Sequence, residues 1–397
     1  MEKINLPEDL ITEILCRLPV KSVTGFKIVS KAWSNLISNV CIPRILRASP
    51  LSGFLFHSTK DCMNYFSYSD KNEGCGNDGE VFVESLTSLL PSEYFPYKLF
   101  DSCNGLILLG SSLCKHHYYV CNPLTKQCVA IPKARERVLT GGAALAFDPR
   151  DSSHYKIIRF VRARMVSEAE IFSSETKTWI TSKLNLKPPG HIPFFVMRSV
   201  YSRGGILYSI TDQGTIVCYN IEAPTEVEIV EVPDENYPYG RGVIELCKGV
   251  LNYANRNESK LLIWQFDDRH HNNSHGGSKA AGGTSFWTLK HSICMDDWRN
   301  IIHSAAEREF GYTRIYIIHP NSDIIFLGNR YMIYSYHLKS NKLELLCRRS
   351  VGRELSFYSC CFWPYSQCCV NVLNDFDHPK RKKKVAVWRQ ITACLFK

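Results

Sequence analysis

The sequence predicts an α+β multidomain chain: a small N-terminal module of three helices over residues 1–45, then an all-β propeller of six blades over residues 53–375. Three observations predict this. Within the first 45 residues, apolar side chains recur at helical spacing between two Leu-Pro steps. Beyond residue 50 that spacing vanishes, and short β-branched and aromatic runs alternate with Gly, Asn, Asp and Pro. Those runs recur at intervals near 50 residues, with about four short strands to a unit. A linker at 46–52 separates the two parts, and a basic tail occupies 376–397.

The helices follow from local chemistry. Pro7 suits the first position of a helix, where its missing N–H costs nothing. Glu8 and Asp9 set negative charge at the positive end of the helix dipole. Leu10, Ile11, Ile14, Leu15 and Leu18 share one face, and Pro19 stops the helix by pushing Leu18 away from α geometry. Ser22 is a candidate cap for a second helix carrying Val23, Phe26 and Val29. Ser30 is a candidate cap for a third carrying Trp33, Leu36 and Ile37. A unit of this size holds only a small core. It has more apolar residues than that core needs, so a partner is expected to cover some of them.

The ordered set Leu6-Pro7, Leu18-Pro19-Val20-Lys21 and Val29-Ser30-Lys31-Ala32-Trp33 strongly resembles the F-box, over about residues 4–45. Family members commonly carry Cys before that Val; Ile28 stands here, a mild apolar change. The resemblance implies a helical module that docks the Skp-type adaptor of a cullin–RING ubiquitin ligase. By position, Leu6, Pro7, Ile11, Ile14, Leu18, Pro19, Val20, Val29 and Trp33 would supply the contacts. Leu10, Leu15, Phe26 and Leu36 are assigned to the module's own core.

Composition bounds the rest. The 397 residues are 45% hydrophobic and 22% charged, which leaves room for a small module and a domain of about 300 residues. No run of eighteen apolar residues exists, and the N-terminus lacks the apolar core of a signal peptide. The expected location is nucleus and cytoplasm, with no membrane partner. There the 17 cysteines, odd in number and irregular in spacing, are expected to be mostly reduced and packed as small hydrophobes. The net charge of +10 draws five charges from Lys380-Arg381-Lys382-Lys383-Lys384 and is otherwise spread thinly. A dedicated nucleic-acid binder concentrates charge on one groove or helix, so nucleic acid is not an expected partner.

The repeat has a readable register. The last apolar residues before successive turns are Cys121, Phe172, Tyr219, Phe266 and Tyr336, at intervals of 51, 47, 47 and 70. The long interval contains a polar insertion, and removing it restores about 50. Gly105, Gly205 and Gly249 each precede an apolar strand. A period of this length is of kelch-like size, each unit being one blade. Six blades fit the length; five or seven are the alternatives. Gly53-Phe54-Leu55-Phe56-His57 is the candidate strand that closes the ring. Residues 70–80 and 268–284 are too polar to form a core and are expected to be disordered insertions. The turns Asn122-Pro123-Leu124-Thr125-Lys126 and Ser173-Ser174-Glu175-Thr176-Lys177-Thr178-Trp179 also resemble the F-box-associated domain of plant F-box proteins, loosely over 95–370. The full kelch signature is incomplete.

Catalytic signals are weak. His270, His271 and His275, and the pairs Cys360-Cys361 and Cys368-Cys369, lack convincing metal-ligand spacing, so neither metal nor cofactor is expected. There is no Gly-x-Ser-x-Gly, P-loop or His-Glu-x-x-His. Lys380–Lys384, after Pro379, resembles a monopartite nuclear-import signal; a solvated tail is the alternative. The expected function is that of a non-catalytic substrate receptor in a Skp–cullin–F-box ligase. It binds the adaptor directly, cullin and RING subunits indirectly, and a target of unknown identity through the propeller. The rival readings are an enzyme with a channel active site, and a nuclear adaptor-binding scaffold outside any ligase.

Overall fold

The computed structural model describes residues 6–18, 20–47, 51–57, 63–67, 97–111, 117–123, 125, 127–135, 139–163, 166–187, 196–233, 242–257, 259–267, 287–295, 298, 314–329, 332–348, 362–366 and 373. The insertions expected at 70–80 and 268–284, the histidine cluster, Cys360, Cys361, Cys368 and Cys369, and Lys380–Lys384 lie outside these residues. Among the described residues, no helix is long and apolar enough to cross a membrane.

The N-terminal module differs from three simple helices. Helix α1 spans Glu8–Arg17, with Pro7 as its N-cap rather than its first residue; the Pro7 carbonyl accepts from the N–H groups of Leu10 and Ile11, both at 3.1 Å. Leu18 ends it in extended geometry, as a residue before proline must. The second expected helix is broken. Helix α2, Val20–Gly25, stops at a glycine, a poor helix former, and Phe26–Ile28 continues as a 3-10 turn. Ser22 therefore lies inside α2 rather than at its N-cap. Ser30 does cap α3 (Lys31–Leu36), accepting the Trp33 N–H at 3.1 Å. The chain then widens into a π turn, Ile37–Cys41, and resumes as α4, Ile42–Arg47. Pro43 accounts for the break, since it has no N–H to give to the preceding turn. The small core holds Leu15, Val23, Ile37, Cys41 and Ile42.

The remainder is a β-propeller. Strands β1 (Gly53–His57) and β2 (Met63–Ser67) come first. Five complete blades follow, each an antiparallel meander. Blade I comprises β3 (Tyr97–Cys103), β4 (Leu106–Ser111), β5 (Tyr118–Asn122) and β6 (Gln127–Ala130). Blade II comprises β7 (Leu139–Ala146), β8 (Lys156–Ala163), β9 (Val166–Ser173) and β10 (Thr178–Lys183). The short β11 (Asn185–Lys187) leaves blade II and pairs in parallel with the outer edge of blade III. Blade III itself holds β12 (Val196–Tyr201), β13 (Ile206–Thr211), β14 (Thr215–Asn220) and β15 (Glu226–Glu231). Blade IV holds β16 (Val243–Cys247), β17 (Val250–Arg256), β18 (Lys260–Phe266) and β19 (Trp287–Cys294). Blade V holds β20 (Arg314–Ile318), β21 (Ile324–Gly328), β22 (Met332–His337) and β23 (Lys342–Arg348).

Of the six four-stranded blades expected, five are present among the described residues. Between blades V and I stands a three-stranded sheet, β2-β1-β24, in which β1 from the start of the domain pairs antiparallel with β24 (Phe362–Tyr365) from its end. Closure is aromatic: Phe54 packs on Phe326 at 4.5 Å between ring centroids, and Tyr316 stacks on Phe362 at 4.0 Å. Joining distant parts of the chain in one sheet covers the apolar faces that blades V and I would otherwise leave open.

Each hydrophobic cluster spans two neighbouring sheets, so burial in the ring is mostly sheet against sheet. Two tryptophans on fourth strands reach back to the preceding blade. The Trp179 indole N–H donates to the Pro132 carbonyl at 2.8 Å, and that of Trp287 to the Glu231 carbonyl at 3.0 Å. Cys121 and Cys128, directly opposite across β5 and β6, are joined as a disulfide, an exception to the reduced state expected of most cysteines. Cys16, Cys41, Cys103 and Cys247 keep free thiols.

Candidate functional site

Helix α1 presents two apolar faces. Ile11, Leu15 and Leu18 point inward, Leu15 fully buried and the other two packed against the core. Leu6, Leu10 and Ile14, spaced by four, form an outward stripe; Leu10 and Ile14 are each 51% exposed. Beyond α2 the chain exposes Phe26, Val29 at 57% and Ile28 at 91%. Residues with their own core would not need this much apolar surface in water, so the stripe reads as a place for a partner.

This arrangement sorts the sequence expectations. Leu6, Pro7, Ile14 and Val29 stand exposed, as a contact role needs. Ile11, Leu18 and Trp33 are half-buried and belong partly to the core. Leu10 and Phe26, assigned to the core, are exposed instead, because the inward side of α1 is already filled by Ile11 and Leu15. Val20 begins α2, and Pro19 lies outside the described residues. Ile28 and Val40 are exposed residues that sequence reasoning missed. At the surface, Glu13 pairs with Arg17 of its own helix at 3.2 Å and with Arg44 of α4 at 2.7 Å.

The propeller carries a second candidate site at one end of its central channel. The first strands β3, β7, β12, β16 and β20 neighbour one another around the centre, with β24 between β20 and β3. At the ends of these strands opens a cavity of about 540 Å³. Its mouth is shaped by tight turns: Asn104-Gly105 and Lys248-Gly249 have positive φ at both central residues, the requirement of a type I′ hairpin. The lone glycine of the sequence pattern supplies one of the two; Asn104 and Lys248 adopt the other.

Inside the cavity lie three buried charges drawn from three blades: Asp101 on β3, Arg198 on β12 and Glu245 on β16. Arg198 forms an ion pair with Glu245 and donates to the carbonyls of Tyr316 at 3.3 Å and Phe362 at 3.4 Å. One guanidinium thus bridges four of the strands around the channel. Burial raises the Glu245 pKa, while Arg198 pulls it back down. Asp101 accepts the N–H groups of Ser102 and Leu145, each at 2.8 Å, so it ties blade I to blade II. Burial nevertheless dominates and pushes its pKa up to about 7. The sequence signal for all three was a charged residue interrupting an apolar strand. Among the described residues, no group of three or more potential metal ligands comes together.

The Asp101 shift has a measurable consequence. An unfolded Asp titrates near about 3.9. The folded chain therefore binds more protons between that value and about 7. The contribution of this group is fully present below about pH 4 and is lost as pH rises to about 7. In urea unfolding at pH 5, 6, 7 and 8, wild-type stability relative to Asp101→Asn should fall from about pH 5 to about pH 7 and then level off. A difference independent of pH would mean that Asp101 does not titrate in this range.

Comparison with known proteins finds two family matches along the chain. Residues 4–45 match the F-box domain family, and residues 73–391 match the family described as F-box protein At3g26010-like, beta-propeller. Curated relatives from Arabidopsis thaliana include F-box protein At5g07610, 24% identical over 73% of this chain and 70% of the relative. F-box protein At5g03970 is 22% identical over 85% of this chain and 82% of its own. The putative F-box/kelch-repeat protein At1g15680 is 25% identical over 95% of this chain and 91% of its own length. With the propeller match covering well over half of its length, the chain belongs to the F-box proteins that carry an At3g26010-like β-propeller.

Proposed function

We propose that this protein is the substrate-receptor subunit of a Skp–cullin–F-box ubiquitin ligase. The observation that carries the reading is the outward stripe of α1, apolar and uncovered on a module that already has its own core. The stripe takes a Skp-type adaptor, through which cullin and RING subunits are recruited. The propeller, with β2-β1-β24 counted as its sixth blade, presents a target protein for ubiquitination and degradation. The mechanism is proximity: holding the target beside a charged ubiquitin-conjugating enzyme raises the effective concentration of its lysines. The subunit itself needs no covalent chemistry. The basic run Lys380–Lys384 supports a nuclear as well as a cytoplasmic location.

Co-purification tests the reading. The full chain should bring down both adaptor and cullin. Replacing Leu6 and Pro7 together with Ala should weaken adaptor binding by at least about tenfold, the equivalent of ~1.4 kcal/mol. Adaptor capture without cullin would favour a scaffold outside any ligase. Unchanged adaptor binding in the double variant would remove these residues from the interface.

A further inference from the structure

We infer that the open end of the propeller channel, with Arg203 and Lys248 at its mouth, binds an acidic peptide segment of the target protein. The inference rests on the receptor reading and names the chemistry that the propeller recognises.

The first argument is charge. The cavity is lined by four cations, Arg150, Arg198, Arg203 and Lys248, and two carboxylates, Asp101 and Glu245. The exposed members are all cations. Arg150, Arg203 and Lys248 follow the first strands of blades II, III and IV, so three successive blades each place one positive charge around the opening.

The second argument is how firmly each cation is already held. Arg150 is held at two points by one carboxylate: its Nε reaches one Asp148 oxygen at 2.7 Å, and a terminal nitrogen takes the other. Arg203 uses only Nε, at 3.1 Å from Asp151. That leaves the paired donors that grip a carboxylate in bidentate fashion. Lys248 lies 3.9 Å from Asp323, whose carboxylate is drawn to Lys339 at 2.6 Å. The Lys339 hydrogen bond lowers the Asp323 pKa, so its charge is already spoken for. Arg203 and Lys248 are therefore the cations with spare capacity.

The third argument is shape. A cavity of about 540 Å³ admits side chains, with Leu246, Trp363 and Pro364 among its apolar walls. Cations on separate blades suit several carboxylates strung along one segment better than a single small anion.

The test uses the full chain and fluorescein-labelled octaglutamate, read by fluorescence anisotropy, with labelled octalysine and a Gly-Ser octapeptide as controls. Octaglutamate alone should bind. Arg203→Glu with Lys248→Glu should weaken it at least tenfold; both residues are exposed, and an unchanged thermal melt verifies the fold. The variant Lys382→Ala, Lys383→Ala, Lys384→Ala should bind octaglutamate as wild type does. Binding that ignores the charge reversal, or that is lost only in the tail variant, would overturn the inference. So would free glutamate competing as well as octaglutamate at equal carboxylate concentration, since the site would then be one for small anions. Adaptor capture measured on the same preparations separates the two readings. If adaptor binds and octaglutamate ignores the reversal, the pocket assignment alone fails. If octaglutamate follows the reversal but no adaptor binds, the pocket stands and the receptor reading fails.

Discussion

Arg198→Leu should destabilise the propeller by about 3–5 kcal/mol, the range for breaking one half of a buried ion pair. Arg198 is only 7% exposed, and Glu245 is equally buried. Removing the guanidinium leaves the Glu245 carboxylate buried, with the Leu246 N–H still donating to it at 3.1 Å. It also strips hydrogen bonds from the carbonyls of Tyr316 and Phe362, which lie on different sheets. Burial already raises the Glu245 pKa, and losing Arg198 removes the main influence opposing it. The carboxyl would then take up a proton on folding, so the defect should be smaller at about pH 5 than at about pH 8. Arg198→Leu combined with Glu245→Leu should recover much of the loss, because no buried charge is then left unpaired. Urea unfolding of the full chain measures all three proteins. A single variant as stable as wild type would mean that the pair is solvated and that the channel is not held together by charge.

Ile14→Asp with Val29→Asp should abolish adaptor binding at ordinary concentrations. Burying an Ile or Val side chain is worth ~1.5–3 kcal/mol, so losing two costs at least about a hundredfold in affinity. Both side chains are more than half exposed in the free chain, so folding should survive. Leu15→Asp is the instructive contrast: that side chain is buried in the small core, and the charge should unfold the module itself. A pull-down against the adaptor, with a thermal melt of each variant, distinguishes the two effects. If the double variant still binds normally, the outward stripe of α1 is not the interface.

Much of the fold was legible because its signals are local or periodic. Leu18 before Pro19 ends α1, and Ser30 caps α3, through backbone chemistry that needs no distant partner. Cys121, Phe172, Tyr219, Phe266 and Tyr336 all fall at the ends of third strands, β5, β9, β14, β18 and β22, because each blade repeats the same packing requirement. Gly105, Gly205 and Gly249 all sit at positive φ before second strands, where a side chain would strain the turn.

What the tertiary structure decided involves choices between equivalent local options. Helical spacing places Leu10 and Ile11 on one broad apolar face; only the position of α2 and the π turn determines that Ile11 turns inward and Leu10 outward. A period near 50 does not say how a ring closes. Five meanders and one sheet joining β1 to β24 satisfy it, because pairing strands from the two ends of the domain depends on where the ring brings them. The charged channel is the clearest case. Asp101, Arg198 and Glu245 are far apart in the chain and each looks like an error in an apolar strand. Closing the ring points all three at the same narrow space, and there a guanidinium among buried carbonyls and carboxylates becomes a structural tie.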